Sequence, residues 1–303
     1  MAKYIVKRVI FAIITILIIS LITFFVMNLV PGGPFNGEKA KSEAVLQELN
    51  ARYNLDKPVV QQYFMYMGKL IQGDWGVSLK TGREIWPDIS ARFVVSAKLG
   101  GAAILLALGV GIVLGSIAAL NRNKWPDRII VFFTTLGTSV PSFILATLLL
   151  LVFCLILRWF PVWSADNPNY VLPVIALSVY PMAYITRLTK TSMLDALSQD
   201  YIRTAKAKGV PQGKVIFVHA LRNALIPVVT YLGPEVAYII TGSMVVENIF
   251  TIGGLGGAFV SSIINRDYTM IMAVTMFLAI LMVFANLITD IVYKAIDPRI
   301  TFE

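Results

Sequence analysis

Gly213-Lys214, inside the run GVPQGKV at 209–215, is the stretch that comes nearest to nucleotide chemistry. A phosphate-binding loop needs four residues between its glycines, then Lys and a Ser or Thr. Only then can backbone N–H groups wrap the phosphates and the hydroxyl hold magnesium. Here three residues separate Gly209 from Gly213, Val215 replaces the hydroxyl, and no strand pattern precedes the run. GGLGG at 253–257 fails likewise, because Phe259 takes the last glycine position of a dinucleotide fingerprint. His219 is the only histidine, which excludes paired-histidine zinc sites and a Ser-His-acid set within hydrocarbon. The single cysteine, Cys154, lies in an apolar run, where a thiol ionises poorly and serves as filler. Glu235 is the remaining candidate. An ionisable residue in the middle of an apolar stretch is a functional-site hypothesis by default. It follows Gly233-Pro234, an expected helix break, and could line a polar path, relay a proton, or pair within a wet cavity or with another subunit.

The elements that carry these residues are set by an unusual composition. Of 303 residues 57% are hydrophobic and only 14% charged, with mean hydropathy +0.75. A soluble domain carries about a quarter charged residues, so the chain falls in the membrane class. About 20 apolar residues cross a bilayer as a helix. The segments 9–30, 99–120, 129–157, 171–186, 223–246 and 268–289 meet or approach that length, which predicts an all-α integral membrane protein with six transmembrane helices. The third is long enough for one tilted crossing kinked at Pro141, and the fourth is short and holds Pro173 and Pro181. Lys3, Lys7 and Arg8 precede an apolar run longer than a signal peptide's, so the start reads as a retained first helix.

Lys and Arg in the short loops set the orientation. Fifteen lie on the side that holds residues 1–8, 121–128, 187–222 and the tail, against two, Arg158 and Arg266, on the other. Both termini are therefore expected in the cytoplasm, and the net charge of +9 follows this pattern rather than a nucleic-acid partner. Residues 31–97 are nearly neutral and long enough to escape the rule. Leu46, Leu49 and Tyr53 share one helical face there, and VVQQYFMYMGKLIQGDWG reads as a second helix ending at Gly73. The expected organisation is a tail and first helix at 1–30, an extracytoplasmic helical region at 31–97, and a five-helix core at 98–303. Gly111 and Gly115 in the second span form a small-xxx-small pair that suits close helix packing.

The most basic loop, 189–222, interrupts the apolar pattern with helical spacing of its own. Leu194, Leu197, Tyr201 and Ala205 form one apolar stripe, Gly209 suits the left-handed position that ends a helix, and Pro211 follows. KVIFVHALRN reads as a second short helix, which makes a rigid elbow that a soluble protein could grip and pull. This elbow resembles the signature loop of bacterial ABC importer permeases, written Glu-Ala-Ala, three residues, Gly, nine residues, Ile-x-Leu-Pro. Arg203, Thr204 and Ala205 stand at its first three positions, Gly209 at its glycine, and His219, Leu221 and Arg222 at Ile, Leu and Pro. DYIRTAKAKG with HALRNALIPV is similar to the peptide-transporter form of that loop. LVPGGPF, YNLDKPVVQQY, GDWGVSL, VPSF, GSMVVENIF, GLGGAFVSSIINRDY and AIDPRI extend the likeness over the whole chain, closest to B-type oligopeptide permeases.

The resemblance implies a type I ABC importer permease fold in the bacterial inner membrane and uptake of oligopeptides. It implies a second, C-type permease subunit, two cytoplasmic ATPase subunits that bind ATP and Mg, and an extracytoplasmic peptide-binding protein. This chain would hold no cofactor or metal and no ATPase site of its own. Asp200, Arg203, Thr204, Ala205 and Gly209 would couple the loop to an ATPase. Related importers for dipeptides, nickel, glutathione or antimicrobial peptides share this pattern. A different class, an ion-coupled carrier or channel, would centre on Glu235.

Overall fold

The structure, a computed structural model, describes residues 2–35, 43–240 and 244–296. No strand occurs among them beyond an isolated bridge between Val77 and Glu84. The helices are α1 (Ala2–Leu29), α2 (Glu43–Arg52), α3 (Val59–Ile71), α4 (Ile85–Leu120), α5 (Trp125–Ser139), α6 (Ser142–Leu149) and α7 (Val171–Ser198). They continue as α8 (Asp200–Ala207), α9 (Gln212–Lys214), α10 (Leu221–Ala224), α11 (Ile226–Ile240), α12 (Met244–Ile249), α13 (Leu255–Ile264) and α14 (Tyr268–Ile296). Wider π-helical turns extend α6 through Leu150–Ile156 and join α9 to α10 through Val215–Ala220.

Four unbroken helices among the described residues are long and apolar enough to cross a membrane: Val6–Leu29, α4, α7 and Tyr268–Thr289. Two bent pairs bring the number to six if each is one span. The third expected span is more than kinked. Val140 is extended ahead of Pro141, as the residue before proline prefers, and the helices on either side meet at 100°. The expected break at Gly233-Pro234 is also displaced. Pro234 lies inside α11, and the 46° bend falls at Leu225, where Pro227 occupies the new helix's first turn and needs no N–H partner. α7 absorbs Pro181 without breaking and runs for 28 residues, well past the 16 apolar ones. The side chain of Leu46, residues 241–243 of the fifth expected span, and the end of the AIDPRI tail lie outside the described residues.

The chain divides into two compact units, residues 1–95 with 253–284, and 96–252 with 285–303. In the first, Phe24 and Met27 of α1 pack with Tyr63 of α3 and with Tyr268, Met272 and Met276 of α14. Ser20 and Tyr63 share a 2.8 Å hydrogen bond between α1 and α3. Gly73 takes φ +86° just past α3, as the sequence predicts. Asp267 is buried and fastens the loop after α3. Its carboxylate accepts from Ser78 Oγ at 2.5 Å and from the Leu79 N–H at 3.1 Å. Trp75 stacks on Trp86 at 5.2 Å, and both meet Phe277 edge-on.

In the second unit, α7 is the element on which α5, α6, α8, α10, α11 and α12 all pack. α4 reaches it through the two glycines. A Cβ on Gly111 would lie 2.9 Å from Ile185 Cγ2, and one on Gly115 would lie 2.6 Å from the Thr186 carbonyl oxygen and from Thr189 Cβ. The small-xxx-small pair therefore serves close packing, and the obstacle at Gly115 is backbone that cannot swing aside. Cys154 is buried, as expected of filler. One feature had no signal in the apolar pattern: Glu247 of α12 is fully buried, and Ser96 Oγ donates to it at 2.7 Å. Replacing Gly115 with Ala should destabilise the solubilised protein by about 1–3 kcal/mol through overpacking, whereas Gly101→Ala, where nothing lies within 4 Å, should not. Melting temperatures in one detergent check the pair.

Candidate functional site

The basic elbow begins where α7 ends. Gln199 is extended, at φ −74° and ψ 153°, and starts a new helix with its own register. This corrects the expected apolar stripe. Leu194 and Leu197 are half-buried and Tyr201 is exposed, while the buried face is Met193 and Ala196 of α7 with Ile202 and Ala205 of α8. The extended residue rotates α8, so a spacing counted through it does not apply. Val215, Ala220 and Ala224 of the returning helix, and Ala119 at the end of α4, complete the cluster. Val210 and Leu221 pack at its edge.

This core sorts the five candidate coupling residues. Asp200, Arg203 and Thr204 point outward, Asp200 and Arg203 with side chains 95% and 80% exposed. Arg203 Nη1 lies 3.5 Å from Asp200 Oδ1, an exposed pair that solvent screens. Ala205 is buried and holds α8 down. Gly209 has φ +74° and open space around it, so the turn requires glycine for its backbone conformation and not for room. Tyr201 is tied to the returning helix, because Asn223 Nδ2 donates to its hydroxyl at 3.1 Å. Phe217 and Val218 of the returning segment are also exposed.

A second fastening was not singled out by spacing. Lys190 of α7 lies 2.5 Å from the buried Asp127 of α5, whose other oxygen accepts from the Asn123 N–H at 3.0 Å. The pair locks the 121–124 turn to α7 two turns before the elbow. Removing one partner would strand a buried charge.

Glu235 lies away from the elbow, half-buried on α11 one turn after Tyr231. The Tyr231 ring stacks on Tyr184 of α7 at 4.3 Å and 29°. Gly233 faces α14 so closely that a Cβ there would overlap the Thr289 side chain. GVPQGKV forms the turn after α8 and the short helix α9 rather than a phosphate cradle, and no group of acids, histidine and cysteine among the described residues could hold a metal ion.

Two family models match. Residues 111–302 fit the inner membrane component of binding-protein-dependent transport systems, and residues 1–101 fit the N-terminal region of that membrane component. The chain is 47% identical to the dipeptide transport system permease protein DppB of Bacillus subtilis, over 99% of this chain and 98% of the relative. It is 43% identical to the oligopeptide transport system permease protein OppB of Salmonella typhimurium over the whole of both chains. A DppB from Lactococcus lactis matches at 41% over 99% of each.

Ile202→Ala should cost about 2–5 kcal/mol by emptying the elbow core, whereas Arg203→Ala should change stability by about 0.5 kcal/mol or less. Thermal unfolding of the two variants separates the residues that build the elbow from those it presents.

Proposed function

The chain belongs to the family of inner membrane components of binding-protein-dependent transport systems, and from that premise we propose that it is one permease subunit of an ATP-driven importer of peptides. A second, C-type permease completes the pathway. Two cytoplasmic ATPase subunits bind ATP and Mg and supply the energy, and an extracytoplasmic binding protein delivers the peptide. This chain contributes no ATPase site and no cofactor. Residues 31–97 form the outer helical region and 98–303 the moving core.

The observation that carries this reading is the elbow: a small buried core that presents Asp200, Arg203 and Thr204 outward at the end of a helix that also spans. An ATPase gripping those residues displaces α8. Ile202 and Ala205 pass the displacement to α7, and Lys190–Asp127 passes it to α5. Closure of the two ATPases on ATP then moves both elbows together and switches the spans between inward-open and outward-open, with energy from outside the chain. Glu235 lies on the pathway that opens. Cargo names in the relatives divide between dipeptides and oligopeptides, so the cargo class is peptides.

Purification in mild detergent should recover a second permease and two ATPases with this chain. Gly209→Pro, which removes the φ +74° conformation of the turn, should leave the chain folded in the membrane but lower ATP-dependent peptide uptake at least about tenfold. Full uptake in that variant, or purification of the chain alone, would reject the reading. A carrier centred on Glu235 would instead transport normally without ATPases.

A further inference from the structure

The two helices of the elbow bury their inner sides in one small core, so their outer faces point away from each other. Ile202 and Ala205 of α8 meet Val215, Ala220 and Ala224 of the returning segment there. Away from the core, α8 exposes Asp200, Tyr201, Arg203, Thr204 and Lys206, with no large aliphatic side chain among them. The returning segment differs. Lys214, Phe217, Val218 and Arg222 are exposed at spacing i, i+3, i+4 and i+8, which places them on one face. Phe217 is 67% exposed and Val218 47%.

Two bulky apolar side chains between two cations suit a lipid headgroup layer better than water. Ring and methyl groups reach the acyl chains there, while the charged tips stay at the phosphates. The place of the segment in the chain agrees. Gln212–Ala224 leads directly into Ile226–Ile239, and the two are long and apolar enough together to be one span bent by 46°. A segment turned aside from the span it feeds lies aslant in the membrane boundary.

Charge agrees as well. From Tyr201 to Pro234 the sequence holds five Lys or Arg and no Asp or Glu. Neither Lys214 nor Arg222 meets a carboxylate among the described residues. The chain thus supplies no anion of its own to this face, and the leaflet beside it can. We propose that the face is a docking surface for an anionic phospholipid, with Lys214 and Arg222 on its phosphate and Phe217 and Val218 against the upper part of its acyl chains. The lipid lies on the side of the elbow turned away from Asp200, Arg203 and Thr204, so lipid and ATPase can hold the elbow together. The site requires that the chain be a membrane protein and is independent of its cargo.

The test uses the complete complex in phosphatidylcholine nanodiscs. These contain, at equal mole fraction, either a phosphatidylglycerol or a phosphatidylcholine with the same diazirine near the top of one acyl chain. After illumination, labelled residues are mapped by mass spectrometry. Phosphatidylglycerol should label residues 214–222 at least about threefold more than phosphatidylcholine does. Lys214→Gln combined with Arg222→Gln should bring that ratio to about one. Lys206→Gln combined with Lys208→Gln removes equal charge from the end of α8 and should leave the ratio unchanged. Equal labelling by the two lipids in the unsubstituted complex, or none by either because protein covers the face, would overturn the assignment without any variant. So would a ratio that survives the first pair of substitutions, or one that both pairs abolish, since the latter reports net charge and not this face.

Discussion

The second unit depends on one constraint, the close approach of backbone on either side of α7. Gly115 lies against the Thr186 carbonyl and Gly111 against Ile185, with no room for a methyl group at either point. Contact at that range restricts sliding of α4 along α7, most of all at Gly115, where the Thr186 carbonyl is main chain that cannot swing aside. The same helix is clamped to α5 by Lys190 and Asp127, and to the elbow by Met193 and Ala196. α7 is therefore at once a span, a packing hub and the stem of the elbow. A helix so placed cannot tilt alone. Whatever turns its end turns the elements packed on it, which is the physical content of coupling in the proposed importer.

Pro181 bears on that stiffness. Proline inside a helix costs a hydrogen bond and bends the axis. Here it is buried within α7, and the helix continues past it for more than four turns. Packing on several sides holds the helix together where its own hydrogen bonds are weakened, so stiffness is a property of the unit and not of the isolated segment. The covered faces of α7 carry Thr186 and Thr189 against α4 and Lys190 against α5 as well as small and apolar residues, and from Tyr180 onward its exposed side chains are all polar.

Much of this was legible in the residues. The apolar runs located the four unbroken candidate spans and the two bent pairs, the loop lysines and arginines supported the short one at 171–186, and Gly111 with Gly115 announced a close approach. Gly209 marked its turn. Other features were not legible, for definite reasons. The spacing from Leu194 to Ala205 presumes one helix, and a single extended residue, Gln199, divides it and rotates the second half. Pro141 alone predicts a kink, but the extended Val140 before it turns the chain by 100°. Pro234 looked like a break, yet tertiary packing keeps it helical and Pro227 starts the new helix instead. Asp127, Glu247 and Asp267 are single acids whose partners lie far along the chain, and no local pattern announces such pairs.

The central claim is that the chain is a lever driven through its elbow by a separate motor. The most direct measurement is peptide uptake into proteoliposomes containing this permease and its partner permease, with and without the two ATPases, binding protein and ATP present throughout. The account predicts uptake against a gradient only when the ATPases are included. Sustained, concentrative uptake by the permeases alone would contradict it.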